Sequence, residues 1–278
     1  MRKAMSSDTR ISDTRRMHRE AGFTLVELSV AMVIALFLLA GLFTIEQSTR
    51  QTSVQQTQLA QLQDNERLAM TIMTDVIQAG GYFADPTANT GATALPSVSA
   101  TLFPTAGMGI YGTTNAGLPD SVYVQYMSEG PKTDNMIRCD GQQTADTAPA
   151  GVAYINQFSV DPVNKQLLCT VSTNIASAVV QLTNPPVVLV DSVDNKGVKN
   201  GVENLQMLYG VATTGNNGYS VDTYMTAAQV TAANKWPDVS SVKVTLTFSN
   251  PLFGQPGQTT QPTVAFERVI GIMSRAGD

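Results

Sequence analysis

The sequence predicts an α+β protein in which one long N-terminal helix packs on an antiparallel β-sheet domain. Three observations carry this prediction. An apolar run over residues 23–45 holds a single charge, Glu27. Apolar pairs four residues apart then continue a helical stripe to about residue 80. Beyond it, short runs rich in β-branched and aromatic residues alternate with turn residues, as the strands of an antiparallel sheet do.

The chain begins with a basic head. Residues 1–22 carry six basic and three acidic side chains, whereas the remainder carries 11 basic and 19 acidic ones. A basic head before an apolar run is typical of an export signal or a membrane anchor whose basic end stays in the cytoplasm. Since the phosphate backbone of nucleic acid demands basic patches, the acidic remainder predicts no nucleic-acid partner.

The apolar run is long enough to cross a membrane. As a helix, residues 23–45 would extend about 34 Å, which spans the hydrocarbon core of a bilayer. The alternative is an ordinary signal peptide cut after Ala40, but Leu38-Leu39-Ala40 is a poor small-x-small cleavage site. Neither interpretation accounts for Glu27, because a lone carboxylate in hydrocarbon costs about 3 kcal/mol or more.

Cleavage between Gly22 and Phe23 would account for Glu27. It removes the basic head and leaves a new α-amine on Phe23. Phe23 and Glu27 are four residues apart, so they lie on one face of a helix. The new cation and the carboxylate can then neutralise each other, within one chain or between neighbouring chains.

The stretch GFTLVELSVAMVIALFLLAG closely resembles the class III signal of type IV pilins and pseudopilins. The resemblance implies that a prepilin peptidase cuts after Gly22 and methylates the amine of Phe23. It also implies that Glu27 serves in the registration of subunits within a filament. Twenty-two residues is long for such a leader, and a start at Met17 would leave the short leader MHREAG, so both starts stay open.

The helix is predicted to continue beyond the membrane. Residues 46–63 are rich in Gln, Ser and Thr and contain no Pro or Gly, and Gly80-Gly81 end the helix at residue 80. Residues 81–278 then form the head domain. Its segment 86–119 contains no charged residue and is rich in Gly and Pro, which predicts a long surface loop without regular structure.

Several later runs have the composition of strands. In SVKVTLTF, the apolar residues Val242, Val244, Leu246 and Phe248 alternate and share one face. Residues 222–236 are predicted as a short helix before Pro237, with Trp236 in the core. Together these runs predict one antiparallel sheet. The predicted strands are residues 121–127, 152–160, 166–171, 187–193, 202–211 and 241–248.

The sequence gives little support for a catalytic or a metal-binding site. The only histidine, His18, lies in the basic head, which excludes Ser-His-Asp and Cys-His nucleophiles and most zinc sites. We therefore predict no enzyme, no catalytic residue, no metal and no cofactor. Residues Asp191, Asp194, Asn195 and Glu203 lie close in sequence, but Lys196 and Val202 stand where a calcium loop needs Gly and Glu.

Cys139 and Cys169 are the only cysteines. In an exported chain, such a pair is predicted to form one disulfide. The alternative is two unpaired, buried thiols.

Blocks in the C-terminal half narrow the resemblance to the PilW minor pilins of type IV pilus assembly. These blocks are GVENLQMLYG, TAAQV and SSVKVTL, together with NERLAMTIMTDVIQAGGYF at the end of the helix. The resemblance implies a pilin-like fold for a minor pilin that helps to prime pilus assembly and ends near the pilus tip. The last segment, VAFERVIGIMSRAGD, departs from the family because it lacks a basic ending.

The same resemblance implies partners and a location. The expected partners are other minor and major pilins, the prepilin peptidase and the inner-membrane pilus assembly platform. Residues 23–45 would cross the bacterial inner membrane, with the head in the periplasm and later outside the cell in the pilus. Two alternatives stay open: a minor pseudopilin of a type II secretion system, and a pilus-tip adhesin that binds a surface or ligand through its head.

Overall fold

A 54-residue helix, α1 (Leu25–Gln78), leads into two antiparallel sheets in the computed structural model. This confirms the α+β class and the long N-terminal helix. The chain divides into two compact units, residues 1–53 and 54–278, with the boundary inside α1. The structure describes residues 22, 24–114, 117–130, 132, 134–144, 151–175, 178–192, 200–213, 221–255 and 260–275.

Strands make up most of the regular secondary structure in the described part of the second unit. Two further short helices are α2 (Gly91–Ala94) and α3 (Ala227–Ala232). The strands of the described residues are β1 (Ile110–Thr113), β2 (Ser121–Ser128), β3 (Val152–Asp161), β4 (Gln166–Ile175), β5 (Ala178–Gln181), β6 (Val187–Val190), β7 (Val202–Val211), β8 (Thr223–Met225), β9 (Val239–Ser249) and β10 (Thr263–Gly271).

The strands form two sheets, so the prediction of a single sheet is wrong. The first sheet has the order β1-β2-β3-β4-β5, with β6 also pairing with β4, and the second has the order β10-β9-β7-β8. Both β4 and β9 alternate buried and half-buried side chains along much of their length. Each sheet therefore has an apolar face to bury. Buried residues of both sheets and of the second half of α1 form one hydrophobic core.

The second half of α1 is the amphipathic part of the helix. Its buried side chains recur on one face and join the core of the second unit: Leu62, Ala69, Met70, Met73, Val76 and Ile77. The turn that follows β9 also contacts this part of the helix. Gln255 accepts a hydrogen bond from Gln55 Nε2 at 2.9 Å and donates one to Gln58 Oε1 at 3.1 Å.

Two glycines end α1, as the sequence predicts. The helix stops at Gln78, and Gly81 adopts a φ of 81°, which favours glycine. A third glycine, Gly109, lies directly against this turn. A Cβ on Gly109 would lie 2.2 Å from the nitrogen of Gly81, so only glycine fits there. The Gly81 N–H then donates to Gln125 O at 2.9 Å, which joins the helix end to β2.

The prediction of a surface loop without regular structure over residues 86–119 is wrong in part. The segment contains α2 and the edge strand β1, which pairs with β2. Leu95, Phe103, Ile110 and Tyr111 are buried. Because the segment carries no charge, its scattered apolar residues can enter the core without burying an unpaired charge.

A helix does form within residues 222–236, but both of its predicted ends are wrong. The first residues of this segment form β8, and α3 begins only after Thr226, whose hydroxyl caps it through a capping box with Gln229. Trp236 starts a short 3₁₀ turn instead of ending the helix. As predicted, Trp236 is in the core, where its ring lies 4.7 Å from that of Tyr111 and 4.8 Å from that of Tyr209.

Candidate functional site

The first part of α1 presents apolar side chains on every side of the helix. Within the first unit, the large apolar residues between 25 and 45 are more than half exposed, up to 84% for Leu25. Helix α1 is long and apolar enough to cross a membrane. A stretch of 18 of its residues has a mean hydropathy of 2.6, and none of that stretch is buried. An exposed apolar surface of this kind marks contact with lipid or with other proteins.

The hydroxyls of this apolar stretch bond to the helix itself. Ser29 Oγ donates to Val26 O at 2.8 Å, and Thr44 Oγ1 donates to Ala40 O at 2.9 Å. Such bonds satisfy hydroxyl groups without water and therefore suit a helix in hydrocarbon. For the Glu27 carboxylate, the described residues 24–45 provide no such bond.

Glu27 lies in the first turn of α1, and its backbone has a local partner. Its N–H donates to Thr24 Oγ1 at 3.3 Å, so Thr24 caps the helix and Glu27 is its third residue. The spacing Thr-x-x-Glu is the signature of a capping box, and a carboxylate near a helix N-terminus is stabilised by the helix dipole. The spacing of Thr24 and Glu27 in the sequence is the signal that identifies this cap.

The predicted cleavage position lies just before this turn. Gly22 is exposed and outside the helix, which begins at Leu25. Phe23 lies outside the described residues. The spacing of Phe23 and Glu27 thus stays a prediction from the sequence.

Charges return after the apolar stretch. Glu46 and Arg50, one helical turn apart, form an ion pair of 2.6 Å between Arg50 Nε and Glu46 Oε1. Because both side chains are well exposed, the pair contributes only about 0–1 kcal/mol to stability. It nevertheless marks the point where α1 becomes polar.

The two cysteines form the predicted disulfide. Cys139 and Cys169 are both fully buried, with Cα atoms 5.9 Å apart. The bond joins the segment after β2 to β4, and hydrogen bonds hold the same segment in place. The Cys139 N–H donates to Asn156 Oδ1 at 2.8 Å, and the Tyr126 hydroxyl donates to Ile137 O at 3.0 Å.

One groove of the second unit has charged and polar side chains in its lining. It has a volume of about 830 Å³ and is lined in part by Asp120, Lys243 and Glu267. Burial raises the pKa of Asp120, although hydrogen bonds from the Met207 N–H and the Thr114 hydroxyl oppose this. The hydrogen bond from Lys243 lowers the pKa of Glu267. A salt-bridged Glu and a buried Asp offer no nucleophile with an adjacent base.

The acidic loop after β6 is partly described. Asp191 Oδ1 accepts from Gln166 Nε2 at 2.9 Å, and Glu203 accepts from Lys165 Nζ at 2.6 Å. Asp194 and Asn195 lie outside the described residues. Among the residues that are described, no group of three or more His, Cys, Asp or Glu side chains is placed to hold a metal ion.

Two protein-family models match the chain. Residues 154–269 match the model described as Type IV Pilus-assembly protein W, and this range begins within β3 and ends within β10. Residues 17–43 match the prokaryotic N-terminal methylation motif, which includes Gly22, Glu27 and most of the apolar stretch. No curated protein and no solved structure matches the chain significantly.

Proposed function

Because the chain matches the PilW family model over residues 154–269 and the prokaryotic N-terminal methylation motif over residues 17–43, we propose that it is a PilW-like minor pilin that primes pilus assembly near the pilus tip. The observation that carries the proposal is the pairing of this motif with a helix that is apolar and exposed on every side. Such a helix suits first the bilayer and then a bundle of similar helices. Its role is structural, through packing, and not catalytic.

Processing would occur at the bond between Gly22 and Phe23. The prepilin peptidase removes residues 1–22 and methylates the amine of Phe23. The position of Gly22, exposed and ahead of the first helical residue, supports this step, because a peptidase needs an extended backbone and not a helical one.

The new amine then gives Glu27 a partner. A free α-amine titrates near pH 7.7–8.0 in model peptides, so it is largely charged at neutral pH. In hydrocarbon, an ion pair offsets much of the cost of burying both charges. A pair between Phe23 of one chain and Glu27 of a neighbour would set the axial register of the two helices.

The membrane and the other pilins are the partners of residues 23–45. In this proposal, the helix crosses the inner membrane with the head in the periplasm, where the assembly platform and other minor and major pilins join it. Residues 46–80 connect this segment to the head. On extrusion of the pilus, the helix moves from the membrane into the filament core, and the head lies on the outside.

Deleting the gene and counting surface pili tests this function. We expect few or no pili, restored by the full-length chain, and only a few copies of the protein per sheared filament by quantitative mass spectrometry. Type II secretion, measured in the same strain, should be unaffected. Normal pili together with lost secretion would contradict the proposal and assign the chain to a secretion system.

A further inference from the structure

The outer edge of β5 is an exposed, uncharged strand edge. In the described residues, β5 pairs with β4 on one side only. Val179 and Val180 are 44% and 58% exposed, and the neighbouring Leu182 and Val188 are also exposed. No charged residue occurs from position 170 to 190. An apolar strand edge without charge is open to pairing with another chain.

The end strand β10 of the second sheet differs in its charge. It carries Glu267 and Arg268, and the Glu267 carboxylate pairs with Lys243 Nζ at 2.9 Å. Charged residues are a common means by which proteins prevent edge strands from pairing with other chains. Charged residues thus protect the β10 edge of the second sheet, whereas the β5 edge of the first sheet has none.

The register of β5 shows which backbone groups are available. Leu182 N donates to Val171 O at 2.8 Å, so this pair is bonded across the strands. Bonded and non-bonded pairs alternate in an antiparallel ladder. Val180 and Thr173 are therefore a hydrogen-bonded pair, and the N–H and C=O groups of Val180 face β4. The N–H and C=O groups of Val179 and Gln181 face away from β4. A four-residue strand can add to these groups.

We propose that the outer edge of β5 pairs with an uncharged edge strand in the head of a neighbouring pilin. This inference rests on the proposed function, which supplies the neighbour. An apolar side chain opposite Val179 or Val180 would bury apolar surface that is now exposed, which a charged side chain would not, so the added strand is apolar there. Because Val179 and Val180 point to opposite faces and both are exposed, the added strand presents apolar side chains on both faces.

A different pilin fits this edge better than a second copy of the chain. Pairing of β5 with β5 of a second copy is a two-fold contact that closes as a dimer. A growing filament needs contacts that do not close. A contact between β5 and a different surface of the neighbour meets this need, and since the proposed function expects only a few copies of this chain per filament, that neighbour is a different pilin.

Site-specific photo-crosslinking tests the pairing in cells that make pili. A benzophenone amino acid replaces Val180 in the full chain, and the matched control replaces Val163, an apolar residue that is 85% exposed in the turn between β3 and β4. We expect an adduct from position 180, but not 163, that contains a head-domain peptide of another pilin. An adduct with this chain itself, or none with a pilin, would overturn the proposal.

Two substitutions at one position complete the test. Val179→Lys places a charge on the edge and should lower the adduct from position 180 about tenfold, because a charged residue on an edge strand opposes pairing with another chain. Val179→Thr stays uncharged and suits a strand, so it should retain the adduct. An equal adduct in both variants would overturn the inference while leaving the proposed function standing, since that function fails only if deletion of the gene leaves pili normal.

Discussion

Replacing Glu27 by Gln should reduce the incorporation of the protein into pilin complexes at least tenfold, with cleavage and the head unchanged. The reason is electrostatic. Once Phe23 is the first residue, removing the carboxylate leaves the amine without its partner in hydrocarbon. Breaking a buried ion pair in this way costs about 3–5 kcal/mol, which exceeds the 1.4 kcal/mol of a tenfold loss. Co-purification of other pilins from membranes and the number of surface pili measure the effect.

The cap at Thr24 requires a matched control. Gln serves in a capping box as Glu does, so Glu27→Gln removes the charge and keeps the capacity to cap. Thr24→Val does the reverse, because it removes the hydroxyl that accepts from the Glu27 N–H and leaves the carboxylate in place. It should cost the first turn about 0.5–2 kcal/mol and leave assembly close to wild type. If Thr24→Val fails to assemble and Glu27→Gln succeeds, assembly needs the helix cap at Thr24 and not the charge of Glu27.

Removing the disulfide should lower the free energy of unfolding of the head by about 3–4 kcal/mol. Cys139 and Cys169 are separated by 30 positions, and closing a loop of that length restricts the unfolded chain by about this amount. The Cys139→Ala/Cys169→Ala double variant is the cleanest test, since alanine leaves no buried hydroxyl or thiol. Trp236, the only tryptophan, is buried in the head and reports its unfolding by fluorescence during denaturant titration of the full chain in detergent.

The Cys139→Ala single variant is the control for the disulfide. It breaks the bond and leaves the Cys169 thiol, so its unfolding midpoint should fall close to that of the double variant. Mass mapping of the wild-type protein without reduction should find the Cys139 and Cys169 peptides joined. An unchanged midpoint in the double variant, or two alkylatable thiols in protein taken from the periplasm, would contradict the account.

The sequence predicted the fold best where local pattern and burial agree. In β9, Val242, Val244, Leu246 and Phe248 alternate in sequence and are all fully buried. In β5, by contrast, every residue is exposed, so no alternation marks it as a strand. In β10 only Ile270 is buried, so again no alternation of buried side chains marks the strand, which its pairing with β9 holds in the sheet. Strands held by a neighbour, and not by their own burial, cannot be predicted from local pattern.

Two other limits of predicting structure from sequence appear in segment 86–119 and in the first turn of α1. The buried Phe103 lies among Gly, Pro and Thr residues, so only the tertiary structure shows that its segment enters the core. At Thr24, the capping signal was present in the sequence but competed with a second explanation of Glu27. The candidate assembly residues themselves, Gly22, Phe23 and Glu27, came from a motif, and their roles stay predictions.

The mature amino terminus is the most direct test of the account. Intact-mass and N-terminal peptide measurements on protein purified from the membranes of its native host should find a chain that begins at Phe23 and carries a methyl group on its amine. That result would supply the charged partner of Glu27 and retain residues 23–45 as the anchor. A chain that begins at Gly41, or one that is uncut, would contradict the account.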